Sequence, residues 1–156
     1  NDGGAAGPMA PVKQSQTKVI LRAWDDAKLD PANLGYLEAH GTGTLAGDKA
    51  EFDGVMDAIG DQVTSAVIGS SKANIGHTMS AAGAAGMIRS ALAIYHQETP
   101  PLANFASPKE DLGIDATGFR LATSAEPWTN EERYAGVSAF GFGGTNASLI
   151  FQRYAD

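Results

Sequence analysis

The chain has 156 residues, 43% hydrophobic and 19% charged, a composition that supports one globular domain with a core of its own and excludes a disordered polymer. Its formal net charge of -7 excludes a nucleic-acid surface, which needs clustered Lys and Arg to displace counterions from phosphates. There is no cysteine, which excludes disulfides, thiolate metal sites and a thiol nucleophile contributed by these residues.

In chain order, residues 1–15 are Gly, Pro and polar residues without a period and read as a loop or tail, with neither the basic start nor the apolar run of a secretory signal. Val19, Ile20, Ala23, Trp24 and Ala27 recur at helical spacing and predict a helix over residues 16–27. Asp30-Pro31 opens a turn, since proline suits the first position of a helical turn. Residues 35–40 alternate, with Leu37 and Ala39 on one side and Tyr36, Glu38 and His40 on the other. That predicts a strand whose last residue is His40.

A glycine loop follows, and Asp48-x-x-Glu51 reads as a capping box for a helix carrying Ala50, Val55, Met56 and Ile59, with Gly60 as its stop. Capping explains Asp48 and Glu51 better than acid–base catalysis does. Residues 67–71 predict a short buried strand, residues 72–77 a loop, and residues 79–95 a helix. Ala81 to Gly86 are all Ala or Gly, and a helical glycine costs about 1 kcal/mol against alanine. Small residues kept at that cost predict close packing against another backbone.

This helix is the most apolar stretch, but it is rich in small residues and interrupted by Arg89, so no membrane span is expected; the absence of cysteine leaves the redox compartment open, with the cytoplasm as the default expectation. Pro100-Pro101 ends the regular pattern, and only residues 119–122 suggest a strand before Glu126. Residues 134–139 and 147–152 read as strands joined by a glycine loop. The order is that of a layered α/β domain.

Chemistry-bearing residues collect in the glycine loops. They are His40-Gly41-Thr42-Gly43-Thr44, Lys72-Ala73-Asn74-Ile75-Gly76-His77 and Phe140-Gly141-Phe142-Gly143-Gly144-Thr145-Asn146. Bland readings cover other candidates: His96 suits the negative end of a helix dipole, and Trp24 and Trp128 suit a core or its edge. His40 and His77 match no compact metal-ligand spacing and have no evident third ligand, so no metal is expected.

Taken together and in this order, with Glu38-Ala39 before the first loop and Gly69-Ser70-Ser71 before the second, these segments resemble the β-ketoacyl synthase family, the condensing enzymes of fatty acid and polyketide synthesis. The resemblance covers essentially the whole chain and implies the C-terminal half of a thiolase-like layered α/β/α/β/α fold. The wording looks closest to polyketide synthase ketosynthase domains. Stand-alone bacterial fatty acid synthases usually carry a glutamate where this chain has Gly86.

The resemblance implies decarboxylative Claisen condensation of a malonyl-type extender, held on an acyl carrier protein, with an acyl chain on a cysteine. His40 and His77 would donate to the thioester oxygen of the enolate, and Lys72 would set the local electrostatics. Thr42 and Thr44 would contact the phosphopantetheine arm of the carrier, and no cofactor would be bound by the chain itself. Phe142 would gate the pocket and help form an oxyanion hole, Gly143 would let that loop turn, and Phe140 would pack.

The nucleophilic cysteine belongs to the N-terminal half in this family. The implied partners are therefore that half, the carrier protein and a second copy of the complete ketosynthase. A malonyl-carrier decarboxylase and a non-catalytic carrier-binding or structural module are the alternatives.

Overall fold

The computed structural model describes Gly7 and residues 10–108, 112–129 and 131–154, so most of the predicted tail lies outside the described residues. Helix α1 (Lys13–Ala27) begins three residues earlier than expected and buries Gln16, Ile20 and Trp24, spaced one turn apart. It stops where Lys28 turns left-handed (φ 54°) and returns its N–H to the Trp24 carbonyl. Asp30 caps a short 3-10 turn at Pro31–Asn33 by accepting from the Ala32 N–H at 2.9 Å.

The chain then builds β1 (Leu34–Glu38), α2 (Leu45–Val55), β2 (Ala66–Gly69), α3 (Lys72–Ile75) and α4 (Ala82–His96). After these come the short strands β3 (Glu98–Thr99), β4 (Phe119–Arg120) and β5 (Glu126–Pro127), and finally the hairpin β6 (Tyr134–Gly141) and β7 (Thr145–Gln152). Helix α2 runs on into a π-helical turn at Met56–Gly60. The main sheet has the order β4-β2-β1-β6-β7, parallel except for the β6–β7 hairpin, while β3 and β5 pair separately.

Strand β1 sits at the centre, and all five of its residues are buried. The alternation seen in the sequence does not separate core from solvent here, because both faces of the sheet are covered. Leu37 and Ala39 join Ile20, Trp24, Phe52 and Val55 in one core beneath α1 and α2. Tyr36 joins Val67, Ala93, Trp128 and Ala135 in a second core on the α4 side.

The small residues of α4 set its distance from the sheet. A Cβ on Gly83 would lie 3.7 Å from the Ala139 Cβ, and one on Gly86 would lie 3.0 Å from the Glu38 Cγ and 3.2 Å from the Val137 Cγ1. The opposite face of α4 is uncovered: Ile88, Leu92 and Tyr95 are 62%, 50% and 78% exposed. Met79, in the turn before the helix, is 70% exposed.

Candidate functional site

Parallel strands β1 and β2 end side by side, Glu38 opposite Gly69, so the segments leaving them emerge at the same edge of the sheet. Groups beyond the carboxyl ends of parallel strands are where α/β folds place their sites. The strand β1 stops at Glu38, so His40 is two residues past its end rather than its last residue.

The first loop is strapped from beneath. Glu51, only 4% exposed, accepts from the His40 N–H at 2.7 Å and from the Gly41 N–H at 2.8 Å. Gly41 takes φ 44°, and a Cβ there would meet the Ser70 Cβ at 2.9 Å, so glycine is required both for the turn and for the approach to the second loop.

The capping-box reading is corrected here. Helix α2 starts at Leu45, and its N-cap is Thr44, whose hydroxyl accepts from the Gly47 N–H at 3.2 Å. Asp48 instead accepts from the Gly43 N–H at 3.0 Å, and Glu51 braces the His40 turn. The loop N–H groups of His40, Gly41 and Gly43 need acceptors, and the first turns of α2 bring those carboxylates beneath them. Thr42 and Thr44 are exposed, with hydroxyls 3.2 Å apart.

The second segment is a single helical turn, α3, rather than a loop throughout. Its entrance is fixed by Glu38, 2% exposed, whose Oε1 accepts from the Ser71 N–H at 2.6 Å. The Asn104 side chain bonds the Ala73 carbonyl at 2.8 Å, and Gly76 (φ 73°) turns the chain toward His77.

The two imidazoles approach edge to face, with ring centroids 5.4 Å apart. The Phe140 N–H donates to His40 Nδ1 at 3.3 Å, and the Met79 N–H donates to His77 Nδ1 at 3.0 Å. An Nδ1 that accepts cannot carry the proton, so each neutral ring bears its N–H on Nε2. Burial, aided by Lys72 and His77, lowers the His40 pKa to about 4, which keeps this ring neutral near pH 7.

Lys72 is half-buried, and burial lowers its pKa against the opposing pull of Glu38 and Glu51. Burial likewise raises Glu51 to about 7, opposed by its two backbone hydrogen bonds. A cavity of about 350 Å³ lies behind the loops, lined in part by Gly41, Glu51, Ser70, Lys72 and Asn104. Neither imidazole lines it.

The third loop carries two phenylalanines in different settings. Phe140 is buried, and its ring lies 5.8 Å from that of His40. Phe142, 69% exposed, stands in a tight turn at Phe142–Gly144 in which Gly143 takes φ 69°. Thus His40, His77, Lys72 and the Phe140 end of the hairpin converge, while Thr42, Thr44 and Phe142 lie on exposed parts of the loops. Sequence reasoning missed Glu38 and the bracing role of Glu51; the available signal was a carboxylate in the middle of a strand-like run.

This arrangement recurs in known proteins. The sequence matches the family described as Beta-ketoacyl synthase, C-terminal domain, over residues 1–106, and the chain belongs to that family. It is 40% identical over 97% of its length to the highly reducing polyketide synthase SAT13 of Stachybotrys chartarum, and 41% identical over 99% to the polyketide synthase GfsE of Streptomyces halstedii.

Among solved structures it matches the ketosynthase from module 1 of the bacillaene synthase of Bacillus amyloliquefaciens FZB42 with a TM-score of 0.93, at 37% identity over the whole chain. The oxazolomycin ketosynthase domain OzmH KS7 of Streptomyces albus JA3453 matches with a TM-score of 0.92, at 42% identity over 99%. The fold is therefore the α/β fold of the thiolase-like ketosynthase C-terminal domain, in the polyketide synthase branch. The chain spans 7% and 4% of those two synthases and 31% and 28% of the two ketosynthase structures. Among the described residues no helix is long and apolar enough to cross a membrane.

Proposed function

We propose that this domain forms the decarboxylating side of a polyketide ketosynthase pocket, completed by an N-terminal half that carries the nucleophilic cysteine. The observation that carries the reading is the shared tautomer of His40 and His77: each Nδ1 accepts a backbone N–H, leaving each Nε2–H as a fixed donor. Loss of carbon dioxide from a malonyl thioester leaves an enolate, and the negative charge gathers on the thioester oxygen. Donors already aimed at that oxygen stabilise the transition state without reorganising. A neutral His40 suits the task, because protonating its Nδ1 would remove the acceptor that holds the ring against the Phe140 N–H.

Lys72 adds positive potential beside the pair and helps keep His40 neutral. The carrier's phosphopantetheine arm would run past the exposed hydroxyls of Thr42 and Thr44, and the mobile gate would be Phe142, turned on Gly143. The uncovered apolar face of α4 is the seat for the N-terminal half, since each large side chain buried there returns about 1.5–3 kcal/mol. The complete ketosynthase would work as a homodimer.

The test is a malonyl-carrier decarboxylation and condensation assay on the ketosynthase containing this domain. His77→Ala should lower both rates by about 10²–10³, the usual cost of one lost donor to a developing oxyanion. Unchanged rates would sink the assignment. A nucleophile variant in the N-terminal half that abolishes condensation but retains decarboxylation would separate the two half-reactions.

A further inference from the structure

Glu38 has no part in the chemistry just proposed, yet it is among the most buried side chains of the domain, at 2% exposure. A carboxylate in a central strand is costly unless its lone pairs are used. Here each oxygen is engaged. Oε1 accepts from the Ser71 N–H at 2.6 Å, and Oε2 accepts from the Tyr36 hydroxyl at 2.5 Å with the Arg89 guanidinium 3.6 Å away. Arg89 in turn donates to the Pro101 carbonyl at 2.6 Å, tying α4 to the segment that follows it.

The carboxylate thus joins three elements that sequence places far apart: strand β1, the entrance of α3, and helix α4. Ser71 immediately precedes Lys72, so this bond sets where the α3 turn begins, and α3 delivers both Lys72 and His77. Gly86 makes room for it, because a Cβ there would approach the Glu38 Cγ to 3.0 Å and Oε1 to 3.7 Å.

We infer that Glu38 is a positioning residue for the condensing reaction, holding the Ser71-Lys72 turn in register with the His40 loop and supplying a fixed negative charge beneath Lys72. The inference rests on the functional reading of Lys72 and His77 given above. The charged and titratable groups around Lys72 are Glu38 on β1, Glu51 on α2 and His40, while Tyr36 and Arg89 face Glu38 from β1 and α4.

The test uses the ketosynthase containing this domain, with malonyl-carrier as substrate. Glu38→Gln has the same shape, keeps one acceptor oxygen for the Ser71 N–H and can donate its amide N–H to the Tyr36 hydroxyl, so the bracing bonds can be retained while the charge is lost. It should lower kcat for decarboxylation about tenfold with KM within about twofold, because misplacement of a reacting group falls on the chemical step. The alkaline limb of its pH–rate profile should move to lower pH, because Lys72 loses one of the two carboxylates that favour its protonated form.

A carboxylate returned from the facing helix, as Glu38→Ala combined with Gly86→Glu, should recover part of the kcat lost in Glu38→Ala alone. A merely structural Glu38 would change the melting temperature and leave the alkaline limb where it was. Wild-type kcat and an unmoved limb in Glu38→Gln would overturn the inference, as would no recovery in the double variant. Lys72→Ala and His77→Ala run alongside: if they too retain full activity, the functional reading of the site fails, whereas if they are impaired and Glu38→Gln is not, only the role given to Glu38 fails.

Discussion

The two histidine loops leave neighbouring strands and end with their imidazoles in contact, yet they are held by different means. The His40 loop is bound on three sides: Glu51 takes its backbone N–H groups, Ser70 donates to the Gly41 carbonyl, and the Phe140 N–H reaches across to the ring. The His77 segment is anchored firmly at its entrance, where Glu38 holds Ser71, but from Asn74 onward it is exposed. One donor is therefore held from several sides within this domain, while the other follows a short helical turn and stands on an exposed stretch.

The sharpest way to break the comparison is to remove each ring in turn. Both His40→Ala and His77→Ala should cost about 10²–10³ in decarboxylation rate, measured with malonyl-carrier. They should part company in stability. His40→Ala leaves the Phe140 N–H without its acceptor and should cost about 1–3 kcal/mol, whereas His77→Ala at an exposed position should stay within about 0.5 kcal/mol by urea denaturation. Equal stability losses would show that the two loops are not held differently after all.

Next in size is the strap itself. Glu51→Ala strips the acceptors from two loop N–H groups at once and should destabilise by about 2–4 kcal/mol, with the rate falling because His40 is no longer fixed. Thr44→Ala, by contrast, removes only an exposed N-cap of α2 and should cost about 1 kcal/mol.

The smallest effect lies in the pH dependence, where His40 and the Glu51 carboxylate strapped beneath its loop oppose each other. His40 titrates near 4 in the folded state against 6.5 when unfolded, so its contribution to stability is present above pH 6.5 and is lost as pH falls through 4. Glu51 titrates near 7 against 4.5, so its contribution is present below pH 4.5 and is lost as pH rises through 7. In the wild type the two trends offset one another between those limits. His40→Ala should uncover the Glu51 trend, a stability that declines from pH 4.5 toward 7, and a flat profile in that variant would remove the opposition.

Much of this was legible from residue order alone. Period and glycine placement located α1, α4, β1, β2 and the closing hairpin, and the glycine loops located the histidines. One kind of failure came from polar side chains near a helix start, which were assigned to the nearest local task. Asp48 and Glu51 fit a capping pattern, but Thr44 had already taken that role, and the loop N–H groups eleven and ten residues before Glu51 claimed its carboxylate. Glu38 was placed with Tyr36 and His40 on one side of a strand and given no role of its own, because nothing local to residues 34–40 records that α4 covers that face. The Ala and Gly run of α4 was expected to pack against another backbone; at Gly83 and Gly86 the near neighbours are instead the side chains of Ala139, Glu38 and Val137. The partner it leaves room for, the Glu38 carboxylate, could be identified only once the strand order was known.

The bond from the Phe140 N–H to His40 Nδ1 joins residues 100 positions apart. Closing a loop of that length is among the slower events in a domain of this size, and it requires β6 to have already docked beside β1. The His77 equivalent, by contrast, spans two residues. During folding, then, the His77 ring can reach its working tautomer as soon as its own turn forms, whereas the His40 ring reaches it only when the central sheet is complete.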